Sequence, residues 1–250
     1  MHSAADGITE REIAEFERAG VICLRRLFSE GWIATLRNAV DRRAATSAKH
    51  QSKRAAHYSF TELFMWKEDA AFRSFVFESP AAAIAARLLR SRSVRFYFDQ
   101  IFSKEPGMLA PSPWHNDQPF YPIQGSQICS IWLALDEVTR ESSGLEYLAG
   151  SHRWPTGREI DAARIESERA TLEMLTWDMQ PGDCLVHHGL TIHGAGGNST
   201  LDKRRRALAT RWIGDDVVYR VREGSHRPLC VPGAKTGDPL PKAQFPEVST

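Results

Sequence analysis

With 250 residues and a formal net charge of +1, the chain has no global field to draw it to nucleic acid or to an anionic membrane surface. That length suits one large core, as in single all-β barrels, and no apolar run reaches the roughly 18 residues that would suggest a membrane span. Cys23, Cys129, Cys184 and Cys230 stand far apart with no CxxC pair, which argues against a zinc ribbon or disulfide framework and for reduced thiols in the cytoplasm.

Met1 to Arg11 is polar, with acids ahead of any apolar run, unlike a signal peptide. Thr9 and Glu12 have the spacing of a capping box, and Ile13, Phe16 and Ala19 recur at helical intervals until Gly20. A short apolar strand, Val21 to Leu24, follows. Ser29 opens a second helix with Trp32, Ile33, Leu36 and Val40 on one stripe. From Arg42 to Arg54 the chain turns basic and polar, which reads as a helix end and solvated loop, or else as a lid over an acidic substrate. Phe60 to Trp66 is aromatic-rich without a clear period. Ala70 to Phe77 and Pro80 to Leu89 read as two further helices, the second opening on proline.

At Ser93 the period changes. Val94, Phe96 and Phe98 alternate with Arg95, Tyr97 and Asp99, predicting a strand that ends near Lys104-Glu105-Pro106-Gly107. Short strands are expected at about 113–118, 126–135, 144–148, 173–179, 183–188 and 206–214, separated mostly by Gly, Pro, Asn or Asp. Gly157 to Thr171 is charged and reads as an inserted surface helix, and the tail after Gly224 as loop. Helices first and many strands afterwards predict a mainly β fold. In it, a helical part over about 9–90 packs on one face of a barrel or jelly roll over about 93–222, within one domain.

His115 and Asp117 stand two residues apart, a spacing that puts both side chains on one face of an extended strand. Two such groups and a distant histidine make the two-His-one-carboxylate set that holds Fe(II) and leaves coordination positions open. His187, His188 and His193 compete for the third place. His193 is favoured because it stands at a strand boundary and leads into Gly194-Ala195-Gly196-Gly197, whose glycines let backbone pass close to a bound group. Lys203-Arg204-Arg205-Arg206 then enters an apolar strand, so one arginine must point inward, where it is suited to bidentate capture of a carboxylate. Arg205 shares its face with the small Ala207 and Ala209 and is the first choice, with Arg204 and Arg206 as alternatives.

Taken in order, Lys104-Glu105-Pro106-Gly107, Trp114-His115-x-Asp117, Ile131 to Asp136, Gly144-x-Glu146-Tyr147-x-x-Gly150-Ser151-His152, Pro181-Gly182-Asp183, His193-Gly194-Ala195-Gly196-x-Asn198 and Arg205 to Leu208 resemble the phytanoyl-CoA dioxygenase family. The resemblance runs from the first helix through Trp212. It implies a double-stranded β-helix (a cupin-like jelly roll), Fe(II), 2-oxoglutarate as co-substrate, and O2. By the same resemblance His115, Asp117 and His193 are the iron ligands and Arg205 binds the distal carboxylate of 2-oxoglutarate. Lys104 and Trp132 then line the co-substrate pocket. The stretch from His193 to the arginines is one residue longer than the family's usual spacing, and Ala195 stands where some members carry serine.

The implied reaction is oxidation of a small-molecule C–H bond with release of succinate and CO2. Related halogenases lack the carboxylate so that chloride can reach the metal, so Asp117 points to hydroxylation or desaturation. The substrate pocket is expected to draw on His57 to Trp66, with Leu63 and Trp66 prominent, on Gln118 and Phe120, and on Trp212. The partner is a small molecule rather than nucleic acid or membrane. The alternatives are a non-redox, cupin-like metal isomerase or lyase, which would have no use for an inward arginine, and a metal- or ligand-binding sensor with a lapsed site.

Overall fold

The computed structural model describes residues 7–46, 57–155 and 160–250; most of the basic stretch expected as loop or lid, and the start of the expected insertion, lie outside these. Helix α1 (Glu10–Ala19) begins at the predicted capping box, with Glu12 N–H donating to the Thr9 hydroxyl at 3.2 Å, and ends at Gly20 with φ of 76°. A side chain at Gly20 would be strained by that φ and would also meet His152 Nδ1 at 2.3 Å. Strand β1 (Val21–Leu24) follows, then α2 (Glu30–Thr46), β2 (Phe60–Leu63), α3 (Ala70–Glu78) and α4 (Ala81–Leu89). The α3 N-terminus is capped by Asp69, whose carboxylate accepts from Ala71 N–H at 2.9 Å. At the end of α2, Arg43 pairs with Glu62 and Glu68, tying the described end of the basic stretch to β2 and the turn after it.

The thirteen strands of the described residues form two facing sheets and a small ribbon. The larger sheet is built on β3 (Val94–Lys104), β6 (Ile128–Ala134), β9 (Cys184–His188) and β11 (Arg205–Ile213), in the order β1-β9-β6-β11-β3, and every pairing in it is antiparallel. The smaller sheet has the order β4-β10-β7-β8, formed by Ser112–His115, His193–Ala195, Leu145–Leu148 and Met174–Thr176. The ribbon pairs β5 (Ile123–Gln124) with β12 (Val218–Tyr219). The expected jelly roll is the fold observed.

The helices cover one face of the larger sheet. Phe16, Leu36, Phe75 and Ile84 pack there against Phe96, Ile131, Leu133, Val186, Leu208 and Trp212 in a single core, each such side chain contributing about 1.5–3 kcal/mol by leaving water. The opposite face looks into the barrel, where Trp132, Ala134, Leu185, Ala207 and Ala209 meet Tyr147 of the smaller sheet. Alternation along β3 does not persist as the sequence suggests. Arg211 pairs with Phe98 but Trp212 pairs with Phe96, so Tyr97 is an extra residue in the ladder. This bulge leaves Val94 and Phe96 on the helix side and turns Phe98 to the barrel interior.

The tail is more than loop. Its β13 (Glu247–Val248) pairs with the start of β3, and Leu229, Leu240 and Phe245 are buried against Tyr97 and Tyr121. In the inserted region the helix is short, α5 (Ala162–Ser167), capped by Asp161 through Arg164 N–H at 3.0 Å. Among the described residues no helix is long and apolar enough to cross a membrane.

Candidate metal and co-substrate site

His115 closes β4 and His193 opens β10, and the two are register partners, with ring centroids 4.3 Å apart. Asp117 reaches them by a different route from the one its spacing suggests. It lies beyond the end of β4 with helical backbone, φ −76° and ψ −46°, at the start of a short turn over Gln118–Phe120. The turn, not strand alternation, brings its carboxylate to 3.7 Å from His115 Nε2. One donor atom from each of His115, Asp117 and His193 lies within 4.8 Å of the others.

The protonation state of each imidazole follows from its neighbours. His115 Nδ1 lies 2.8 Å from Pro113 O and His193 Nδ1 2.9 Å from Thr191 O. A carbonyl can only accept, so both Nδ1 atoms carry the proton and both Nε2 lone pairs face the centre. Burial, together with the nearby His115 and His187, holds His193 well below the usual histidine range. Burial alone would raise the Asp117 carboxyl, but His187, Arg211 and His193 beside it prevail and hold it well below the usual carboxylate range. Ser130 Oγ donates to the same carboxylate at 3.0 Å. The donor set is that of a divalent metal site.

The competing histidines are not in the donor set, although the His187 ring lies 4.5 Å from that of His193. His187 lies behind Asp117, its Nε2 3.6 Å from Oδ2, too far for a hydrogen bond, and its Nδ1 3.0 Å from the Tyr147 hydroxyl. His188 Nδ1 accepts from Leu190 N–H at 3.1 Å and its Nε2 donates to Ser126 O at 2.7 Å, so both ring nitrogens are committed. The glycines after His193 do allow close approach, but to other parts of the chain. A side chain at Gly194 would press on the Trp114 ring at 3.1 Å, and one at Gly197 would meet Leu109 O at 2.2 Å.

Of the basic run, Lys203 pairs with Glu137 at 2.8 Å, Arg204 with Glu105 at 2.9 Å, and Arg206 with Asp136 and Asp41, each at 2.8 Å. Arg205 is the arginine turned into the barrel, 2% exposed. It donates to Phe102 O and to Ser143 Oγ, each at 3.2 Å, lies over the Trp132 ring at 5.5 Å, and leaves Nε without a partner. Lys104 is its register partner on β3, fully buried, with Nζ donating to Ala110 O at 2.9 Å and Gly196 O at 3.1 Å. Neither cation has an ion-pair partner among the described residues. Burial pulls Arg205 down to about 10, and burial with the nearby Arg205 pulls Lys104 down to about 8. Two adjacent buried cations without an anion fit a dicarboxylate co-substrate. Ser143, with φ of 74°, also brings a hydroxyl to Arg205 while donating to Gly196 O at 2.6 Å, and nothing local in the sequence announces that backbone.

A cavity of about 520 Å³ opens on His115 and Asp117, lined also by Leu63, Phe98, Gln100, Phe102, Phe120, Tyr121 and Arg211 among others. Leu63 and Phe120 are thus where the sequence reading expects them. Three others are not. Trp66 and Trp212 belong to the helix–sheet core, because the alternation that turns Arg205 inward turns Trp212 outward. Gln118 is buried in its turn, with Nε2 donating to Gly125 O at 3.1 Å. Missed by sequence reasoning were Gln100, Arg211 and the tail residue His226; the strand faces of Gln100 and Arg211 were readable, but their opening onto a cavity was not. A second cleft, of about 400 Å³, lies on the other side of His115 and Phe120, against Trp154, Ile160, Leu190 and Ile192. Trp114 borders both, and Glu166 of α5 accepts from its indole N–H at 2.8 Å.

Comparison with known proteins agrees with this fold. The nogalamycin-biosynthesis carbocyclase SnoK, described as non-heme and alpha-ketoglutarate-dependent, superposes with a TM-score of 0.84 over 98% of each chain at 23% identity. The epimerase SnoN, in complex with Fe3+, alpha-ketoglutarate and nogalamycin RO, gives 0.79 over 95% of this chain and 97% of its own at 24% identity. In sequence, the multifunctional dioxygenase ausE of Aspergillus calidoustus is 37% identical over 116 residues, which are 44% of this chain and 38% of that protein. The multifunctional dioxygenase prhA of Penicillium brasilianum is 34% identical over 121 residues, 46% of this chain and 40% of its own. The chain therefore matches well under half the length of these relatives. The profile of the phytanoyl-CoA dioxygenase (PhyH) family matches residues 16–207, and the chain belongs to that family.

Proposed function

We propose that the protein is an Fe(II)- and 2-oxoglutarate-dependent dioxygenase that oxidises a C–H bond of a ring-bearing small molecule in specialised metabolism. The observation that carries this reading is the juxtaposition of a three-donor metal set with two buried cations that lack an anion. His115, Asp117 and His193 would hold the iron. Arg205 and Lys104 would hold the distal carboxylate of 2-oxoglutarate, with Trp132 flanking the guanidinium. When bound, iron, 2-oxoglutarate and O2 supply the oxidising power, with succinate and CO2 as co-products.

The chain's own residues do the remaining work. The two Nδ1–H···O=C hydrogen bonds fix each imidazole so that no tautomer change is needed to bind metal. Ser130 orients the Asp117 carboxylate. Phe98, Phe102, Tyr121 and Phe120 wall the cavity with aromatic surface, which excludes water and fits a flat ring system. The printed names of relatives and neighbours, multifunctional dioxygenases and nogalamycin-biosynthesis enzymes, support the choice of specialised metabolism over a role in general lipid breakdown. The free cysteines support a cytoplasmic setting.

The test is turnover of 2-oxoglutarate to succinate with Fe(II) and O2, measured with and without a panel of ring-bearing metabolites. His115→Ala should reduce it to background while the fold, followed by circular dichroism, persists. Turnover that survives in His115→Ala, or activity that needs neither O2 nor 2-oxoglutarate, would sink the reading and favour a non-redox metal enzyme.

A further inference from the structure

Arg211 lies on the same face of β11 as Arg205 but six positions further along, a separation of about 20 Å at ~3.3 Å per residue. That is a backbone separation: the two side chains lean toward each other and both border Phe102, one at its carbonyl and one at its ring, but their remaining polar partners differ. Arg205 reaches Phe102 O and Ser143, whereas Arg211 reaches Ala209 O and Gln100 Oε1. If Arg205 serves the co-substrate, Arg211 serves something else.

Its setting pairs the cation only at long range, with Asp117 Oδ2 at 3.9 Å from Nε. Arg211 is 5% exposed, and its guanidinium lies 4.6 Å from the centre of the Phe98 ring and 5.8 Å from that of Phe102. Its hydrogen bonds go to neutral acceptors and are long, 3.4 Å to Ala209 O and 3.3 Å to Gln100 Oε1, and Nε has no hydrogen-bond partner. Asp117 is the sole carboxylate among the described residues that line the cavity. Its Oδ2 is 3.9 Å from Arg211 Nε and also accepts from Ser130. Asp117 belongs to the metal set, so its charge is shared with the ion once one is bound. Arg211 is then a desolvated cation at the edge of an aromatic cavity, beside the reacting centre. A buried charge of that kind is costly unless an anion meets it, and a guanidinium meets a planar oxyanion through two parallel hydrogen bonds.

We propose that Arg211 determines substrate specificity, receiving an anionic oxygen, a carboxylate or an acidic enolate, carried by the ring-bearing substrate. Gln100 holds the guanidinium and Phe98 supports its face, so the substrate's charged edge is anchored next to Asp117 and a neighbouring carbon is presented to the metal. The assignment rests on the iron and 2-oxoglutarate reading above.

The test uses the full chain loaded without oxygen with Fe(II) and 2-oxoglutarate, titrated calorimetrically with two pairs of probes. One pair is naphthoate and its methyl ester; the other is a hydroxynaphthoquinone and its methyl ether. The acidic member of at least one pair should bind about ten-fold more tightly than its neutral partner, and the pair that does so separates carboxylate from enolate. Arg211→Met should bring that ratio to within about two-fold, and Arg211→Lys should keep part of it. Equal binding within both pairs, binding of no probe, or a preference that survives Arg211→Met overturns the proposal; the wild-type comparison needs no variant to fold. The visible charge-transfer band of the Fe(II)–2-oxoglutarate complex is recorded in every sample. If the wild type forms no band, the iron and 2-oxoglutarate reading fails. A normal band without an acid preference fails Arg211 alone. Loss of both band and preference in Arg211→Met makes the residue a support for Asp117 or for the co-substrate, and that also overturns the proposal.

Discussion

The two sheets of the barrel divide the labour unequally. The larger carries long ladders, nine register pairs between β11 and β3 and seven between β11 and β6, with helices sealing one face. The smaller is a set of short strands, of which β10 spans only His193–Ala195, and its pairing with β4 shifts register between His193 and Ala195. Yet the smaller sheet and the turn after it supply all three metal donors, while the larger supplies the two unpaired cations. Long, regular ladders give the stiffness against which ligand-bearing groups are held. Short, irregular strands can place a histidine at a strand end and an aspartate one turn later, positions a continuous ladder does not offer.

That contrast can be broken by substitutions on the larger sheet. Leu208→Ala removes a side chain buried between β11 and the helices, and should cost about 2–5 kcal/mol, lowering the melting temperature while leaving metal affinity within about two-fold. A matching fall in metal affinity would mean that the sheets do not act separately.

Arg205→Met sharpens the comparison, because here stability and function should move in opposite directions. Removing a buried cation with no anion is expected to stabilise the ligand-free protein by about 1–4 kcal/mol. The same change should abolish the rise in melting temperature that 2-oxoglutarate produces in the wild type. If the variant loses stability instead, the guanidinium is satisfied by its present partners and the argument from unpaired charge fails.

Asp99 tests the larger sheet through pH instead of through packing. Its carboxyl is 1% exposed on the helix side of β3, with Oδ2 accepting from Trp66 N–H at 3.0 Å and Oδ1 unpartnered. Burial pushes it up to about 7. Because the folded value lies above the unfolded one, about 3.9, this group favours the folded state most below pH ~4 and that contribution is lost as pH rises to about 7. Asp99→Asn should therefore flatten the decline in stability between those values and raise the melting temperature at pH 8. An unchanged slope would show that the carboxyl stays ionised in the fold.

Much of the fold was legible in residue order. The capping box at Thr9, the stripe of α2 and the strand beginning near Ser93 all depend on neighbours within a turn or a pleat, and local periodicity reports such neighbours directly. Inward alternation on β11 was readable in the same way, and it picked Arg205 from its run. Where that alternation was not carried through to Trp212, the sequence reading placed a core residue in the pocket. The phase reversal at Tyr97 could not be read, because a bulge is a property of two strands paired, not of one.

The sequence by itself thus determined the helices, the long strands, and the presence of two histidines, one aspartate and an inward arginine at the right places in order. Only the tertiary structure decided how they meet. The pairing of His115 with His193, the turn that carries Asp117, the left-handed Ser143 beside Arg205, and the tail that buries Phe245 against Tyr97 all join residues far apart in the chain. No local pattern encodes such contacts, since each is settled by which registers let the whole core close. His115-x-Asp117 names the chemistry; the fold around it decides what the cavity beside it can bind.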